Sequence, residues 1–251
     1  PCPWAGGGRA VDDLPLRSAG HRAGKVLNVR RQQGVIPTYG DARRLRIGLL
    51  GGSFNPAHRG HLAIAQRALR ALRLDQVWFM VSPGNPLKPA KGMAPFAKRL
   101  ASVSALADGR RLIATDIEAR LGTRYTVETV RKLQQRFPFV HFVWLTGADG
   151  FATLSRWKGW HKLVAQVPIA VMPRPGQNNA ALHGPAGHYM ARWRIPACRA
   201  ALLATLSPPV WTFLPGPQNG ISATSIRQNG EFDSSLGYAA RSGLSHTGER
   251  S

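Results

Sequence analysis

Acidic side chains are scarce: 251 residues carry 12 Asp+Glu against 34 Lys+Arg, a formal net charge of +22. No cluster of carboxylates is available to cage a metal ion. Cysteine is almost absent as well. Cys2 and Cys198 are the only two, and their separation is not a metal-ligand spacing. A reducing, cytoplasmic setting without a disulfide is the expectation. No run of about 18 apolar residues occurs, which excludes an ordinary membrane-spanning helix. No apolar signal core with a small-residue cleavage site opens the chain, so secretion is not expected. The sequence also lacks Gly-x4-Gly-Lys-Ser/Thr and His-Glu-x-x-His, which sets aside P-loop and zinc-protease chemistry. Nothing in it suggests a Ser-His-Asp arrangement, and there is no internal repeat.

The positive excess lies in the body of the chain: residues 45–227 hold 24 basic and 6 acidic side chains. Such a balance points toward polyanionic partners. The basic residues are scattered, mostly Arg on expected helix faces, and not gathered into a stripe. A genome rich in G and C would favour Arg; a positive field that draws in phosphates is the functional account.

Residues 1–44 read as a flexible extension, opening with Pro and Gly and showing no hydrophobic period. LRIGLL (45–50) ends in Gly51-Gly52 and suits a buried parallel strand. From Gly60, Leu62, Ala65, Leu69 and Leu72 recur at helical spacing with Arg67, Arg70 and Arg73 between them. Further strands are expected at 77–82, 112–117, 139–147, 167–176 and 210–216. Further helices are expected at 93–107, 126–137, with Thr126 as N-cap, and 197–206. Residues 177–196 read as a loop, and 228–251 as a flexible tail. Apolar strands alternating with amphipathic helices imply an α/β fold: a Rossmann-like, doubly wound parallel sheet in one domain, 45–227. Ligands of such sheets sit beyond the carboxyl ends of the strands. The chemistry-bearing motifs fall there.

The first motif is Gly51-Gly52-Ser53-Phe54-Asn55-Pro56-Ala57-His58-Arg59-Gly60-His61. Glycines let the backbone turn sharply and approach a ligand closely. A helix start welcomes phosphate. His58 and His61, three apart at that start, can lie on one face and donate to phosphate oxygens as charge builds on a leaving group. The second motif, Ile221-Ser222-Ala223-Thr224-Ser225-Ile226-Arg227, places Ser and Thr hydroxyls at a helix start with an Arg one turn on. The third is Gly147-Ala148-Asp149, whose carboxylate at a strand end can accept from ribose hydroxyls or a base amine. Taken alone, the second and third are also common capping and turn patterns.

The stretch GGSFNPAHRGH resembles the signature of the nucleotidyltransferase superfamily whose hallmark is His-x-Gly-His. Within that superfamily it is most similar to bacterial nicotinate-nucleotide adenylyltransferases. Relatives that adenylylate pantetheine phosphate usually carry Thr where His58 stands. Many members have Asp where this chain has Asn55. The resemblance covers about Arg46 to Arg227. It implies that Gly51, Gly52, Ser53, Phe54, His58 and His61 contact ATP, with the two histidines catalytic. It implies that Ser222, Thr224 and Arg227 grip the ATP phosphates from the other side, and that Gly147 and Asp149 meet the adenosine. For the acceptor it implies Trp157 stacked on the nicotinate ring, Thr126 of the Tyr-Thr pair at the nicotinate carboxylate, Asn85 and Lys88 near the phosphates, and Arg174. Trp160 reads as packing.

The implied reaction joins ATP and nicotinate mononucleotide to give nicotinate adenine dinucleotide and pyrophosphate. The acceptor phosphate is already anionic, so catalysis reduces to positioning and charge stabilisation. Mg²⁺ is expected to bridge the phosphate oxygens of ATP while keeping much of its water. A nearer alternative keeps this chemistry with nicotinamide mononucleotide or another phosphate monoester. A more distant one is a basic nucleic-acid-binding protein, which calls for a basic stripe and stacking aromatics that the sequence does not display.

Overall fold

The computed structural model describes residues 36–84 and 92–217, together with Ala223 and Ile226. Among them lies one seven-stranded sheet. In chain order the strands are β1 (Arg46–Gly52), β2 (Gln76–Val81), β3 (Leu112–Thr115), β4 (His141–Gly147), β5 (Ile169–Met172), β6 (Arg194–Ile195) and β7 (Trp211–Phe213). They are arranged β3-β2-β1-β4-β5-β7-β6, and every neighbouring pair is parallel. The order reverses beside β1. Chain leaves β1 toward β2 on one side, while β4 lies on the other, which opens a crevice at their carboxyl ends.

The two faces follow from the two-residue period of the strands. Leu49 is in register with Trp78 on one side and Trp144 on the other. These pack with Ile47, Met80 and Phe142 into one apolar layer. The alternate residues Leu50, Val77, Phe79, Val143 and Leu145 form the opposite layer. Both faces are covered, so the strands are apolar almost throughout and show no alternation of apolar and polar. Each fully buried large side chain, such as Trp78 or Phe79, contributes about 2–3 kcal/mol.

Helix α1 (Arg59–Ala71) buries Gly60, Ala65, Ala68 and Leu69; of the four residues expected on its inner face, Ala65 and Leu69 are buried within the helix, Leu72 is buried at its C-cap, and Leu62 is only half-buried. Helix α2 (Phe96–Ser104) lies within the expected 93–107. It turns Arg99, Ser102 and Val103 inward. The expected strand 112–117 stops at Thr115, and the chain turns into α3 (Ile117–Arg120). Helix α4 (Thr126–Arg136) has Tyr125 as its N-cap; Thr126 is the first helical residue and makes no side-chain cap. The segment after β4 is a chain of short pieces: α5 (Ala148–Ala152), a 3₁₀ turn and α6 (Trp160–Val164).

Residues 177–196, expected as loop, hold α7 (Asn178–His183), α8 (Pro185–Tyr189), a 3₁₀ turn and β6. None is longer than six residues, too short to display a hydrophobic period. The expected helix 197–206 is a 3₁₀ helix, Ala197–Thr205. No helix among the described residues is long and apolar enough to cross a membrane.

Candidate active site at the sheet's switch point

Beyond β1 the backbone makes an irregular turn before α1. Phe54 takes a positive φ of 45°, unusual for a side chain other than Gly. That conformation drives its ring beneath the turn, where it is buried. There it meets the His61 ring edge-on, 4.9 Å between centroids, and the Phe79 ring at 5.9 Å. A strained, buried Phe thus sets the floor on which His61 rests.

The histidines cap their own helix. His58 is the N-cap in extended conformation, and its Nδ1 accepts from the Gly60 N–H at 3.1 Å. The Nδ1 of His61 accepts in turn from the His58 N–H at 3.2 Å. This is the reciprocal geometry of a capping box, built from imidazoles instead of a hydroxyl and a carboxylate. It has a chemical consequence. A neutral ring whose Nδ1 accepts must carry its proton on Nε2. Both rings are therefore held as Nε2–H donors, 4.0 Å apart between centroids. Burial, with the nearby Arg174 charge, pushes the His58 imidazole down to about 4. His58 is therefore neutral near pH 7.

Arg174, after β5, lies beside Asp149 of α5, with Nε 3.7 Å from Oδ1. Gly147 is wedged between them: a Cβ there would meet the Asp149 carboxylate and come within 3.3 Å of Arg174 Cγ. Gly147, Asp149 and Arg174 are thus one group, on the histidine side of the crevice. A cavity of about 190 Å³ opens beside them, lined by Gly60, Ile64, Arg67, Met172 and Arg174 among others. A wider hollow of about 640 Å³ lies at the amino ends of β1 and β4, between Arg44, Asp75 and His141. No motif reaches it, and ligands of parallel sheets bind at the opposite ends.

The other side of the crevice is aromatic. A Cβ on Gly51 would approach Trp144 Cη2 within 2.6 Å, so only glycine admits that indole. Trp144 meets Trp157 edge-on at 6.1 Å. Trp157 is half-buried. Its neighbours join it to the start of α4: Lys158 Nζ lies 4.3 Å from the Tyr125 ring centre, and Gly159 packs against Val127. The segments that carry Thr126 and Trp157 thereby meet, and Trp157 itself lies one indole away from Gly51.

Two buried charged side chains, Glu118 and Arg99, were not anticipated from the sequence. Glu118 of α3 is buried, and desolvation pushes its carboxyl up to about 7, against a Thr129 hydroxyl that donates to it at 3.4 Å. Thr129 also bonds Thr123 at 2.7 Å, so the cluster braces the turn that leads to Thr126. Arg99 of α2 is 2% exposed. Its position relative to Ser102 and Val103, three and four residues on, was the available signal that it faces inward.

Asn85 and Lys88 lie outside the described residues, as do Ser222, Thr224 and Arg227. Of that last motif, Ala223 and Ile226 are described as helical. Gly216, which precedes it, lies against the Arg67 guanidinium on the flank of α1. Among the described residues no three His, Cys, Asp or Glu side chains cluster as a metal site.

Comparison with known proteins gives a consistent picture. The cytidylyltransferase-like family matches residues 49–229. A probable nicotinate-nucleotide adenylyltransferase of Gluconobacter oxydans is 64% identical over 188 residues, 75% of this chain and 96% of that protein. Its counterpart in Gluconacetobacter diazotrophicus is 63% identical over 192 residues, 76% of this chain and 89% of that protein. Among solved structures, nicotinic acid mononucleotide adenylyltransferase of Plasmodium falciparum, complexed with NaAD, superposes with a TM-score of 0.55 at 14% identity. The match covers 74% of this chain and 83% of that one. At that identity the likeness speaks for the fold.

Proposed function

The chain belongs to the cytidylyltransferase-like family and, within it, to the nicotinate-nucleotide adenylyltransferases of NAD biosynthesis, and from that premise we propose how its residues divide the work. The observation that carries the reading is the pair of imidazoles fixed as Nε2–H donors at the start of α1. An oxygen of the mononucleotide phosphate attacks the α-phosphorus of ATP. One P–O bond forms, the α–β bridge breaks, and pyrophosphate leaves with the electron pair. No proton has to be removed from the nucleophile, because a phosphate monoester is already anionic. His58 and His61 donate to the phosphate oxygens and stabilise the charge that grows on the leaving group.

Gly51, Gly52, Ser53 and Phe54 shape the turn against the triphosphate, and the N-terminus of α1 adds its dipole. Ser222, Thr224 and Arg227 complete the grip on the phosphates. Gly147 and Asp149 take the adenosine. Arg174, which lies beside Asp149 and whose charge reaches His58, serves the mononucleotide. Trp157 stacks on the nicotinate ring, and Thr126, at a helix N-terminus, takes the carboxylate. Asn85 and Lys88 serve the acceptor phosphate. Magnesium arrives with ATP as part of the substrate, bound to phosphate oxygens and water. Residues 45–227 would form the catalytic domain, working in the cytoplasm.

Pyrophosphate release with ATP, Mg²⁺ and either nicotinate or nicotinamide mononucleotide tests the assignment. Strong preference for nicotinate is expected. Equal or reversed rates would keep the adenylyl transfer and discard the acceptor. Trp157→Ala should raise the KM for the mononucleotide about tenfold, the loss of one stacking contact, and leave the KM for ATP near its original value. A rise confined to the ATP KM would move Trp157 to the other substrate.

A further inference from the structure

Arg99 is a buried cation that nothing in the reaction scheme uses. Its guanidinium donates to four backbone carbonyls and to nothing else among the described residues. Nε bonds Ala94 O at 3.0 Å. Nη1 bonds Ser53 O and Ser82 O, each at 2.7 Å, and Nη2 bonds Pro83 O at 3.2 Å. No carboxylate stands within ion-pair distance of it among the described residues. Phe96 contributes only a ring face, at 5.4 Å.

These four acceptors belong to three places: the turn after β1, the end of β2 and the approach to α2. Two further residues fasten the same pieces. Asn55 uses both halves of its amide, donating from Nδ2 to Gly92 O at 2.8 Å and accepting at Oδ1 from the Ala94 N–H at 3.1 Å. Ser102 Oγ accepts from the Ala57 N–H at 3.1 Å and donates to Arg99 O at 2.7 Å. Residues 53, 55 and 57 of the histidine turn are thus each held by the 92–102 segment. Among these contacts of the described residues, Arg99 supplies the charge.

Four carbonyl hydrogen bonds satisfy the guanidinium's donors without cancelling its net charge, and burial lowers the Arg99 pKa. A structural bracket could be made from neutral amides, as Asn55 demonstrates. A fixed positive charge immediately behind a turn that receives a polyphosphate has a use that a neutral bracket lacks.

We propose that Arg99 is a positioning residue for the polyphosphate site, holding the histidine turn through its carbonyl fork and lending it a positive charge that no carboxylate among the described residues offsets. This rests on the adenylyltransferase reading for its substrate, but its test does not depend on the acceptor.

Inorganic pyrophosphate binding, measured by calorimetry with magnesium, is compared in the wild type, Arg99→Lys and Arg99→Met. Kinetics and melting curves accompany it, all well below each melting midpoint. Lys retains the charge and loses the planar fork; Met retains the stem and loses both. Arg99→Met should weaken pyrophosphate about tenfold or more and raise the KM for ATP in parallel. Arg99→Lys should bind pyrophosphate more tightly than the Met variant yet show a kcat lowered about tenfold, because the turn is no longer held in register. Unchanged pyrophosphate affinity and unchanged kcat in a folded Met variant, with only a lower melting point, would overturn the proposal. Should the Met variant fail to fold, the Lys variant decides: unchanged kcat and pyrophosphate affinity would reduce Arg99 to packing. Wild type that binds pyrophosphate but transfers nothing to either mononucleotide would refute the acceptor and leave Arg99 standing. Wild type that binds no pyrophosphate would refute Arg99's role.

Discussion

Replacing His61 by Ala should lower kcat by about 10²–10³ while the protein stays folded. The magnitude is that of removing one preorganised donor from developing charge, about 2.7–4 kcal/mol. Two features favour a catalytic over a merely structural loss. The Nδ1 of His61 is committed to the His58 N–H, which fixes the ring's donor on Nε2. The ring also rests edge-on against Phe54, whose strained backbone puts it there. The structural cost of the substitution is one half of a capping box, about 1 kcal/mol. His61→Asn separates the two contributions. Its carbonyl oxygen can take over the cap to the His58 N–H, but the amide is shorter than the imidazole. That variant should melt near the wild type and remain slow. If His61→Ala retains its kcat, the ring is a cap and takes no part in the chemistry.

Much of this site was legible because its residues are local in sequence. Gly51 to His61 form one strand–turn–helix unit, and the 3.6-residue period beginning at Gly60 marked α1 correctly. The continuous apolar runs of β1, β2 and β4 announced a sheet covered on both faces, and all seven strands are parallel. The unread part is where function depends on distant chain. That Asp149 and Arg174 share one group is set by β4 and β5 lying side by side. Trp144, which carries Trp157 up to Gly51, read only as part of an apolar strand. Glu118 and Arg99 were hidden differently. A charged residue in a short amphipathic helix reads as solvated; the spacing of Arg99 to Ser102 and Val103 is a weak signal of an inward face, and the packing of α2 and α3 shows that both residues are buried. Thr126 read as a cap by residue type, yet Tyr125 holds that position. The short pieces between 177 and 196 carry no period long enough to detect.

Glu118 supplies the second large effect, and its sign can be worked out. Its folded pKa, about 7, lies above the ordinary value of 4.5 because burial disfavours the carboxylate. A raised pKa means that the folded state holds the proton more tightly than the unfolded chain. The associated stability is fully present below about pH 4.5 and is lost as the pH rises toward 7. At pH 8 the fold carries an ionised, buried carboxylate, at a cost of about 3 kcal/mol relative to pH 4. Glu118→Gln removes the charge and retains an oxygen to accept from Thr129. The variant should therefore melt several degrees above the wild type at pH 8, and at about the same temperature at pH 4. His58 titrates in the opposite sense, with a folded pKa pushed down to about 4, but it is present in both proteins and cancels in the difference. Melting curves of the two proteins across that range measure the effect directly. Parallel curves would mean that a compensating contact keeps the carboxyl ionised at its ordinary value. A gap opening between pH 5 and 7 would identify Glu118 as a destabilising acid retained beside the turn that positions Thr126.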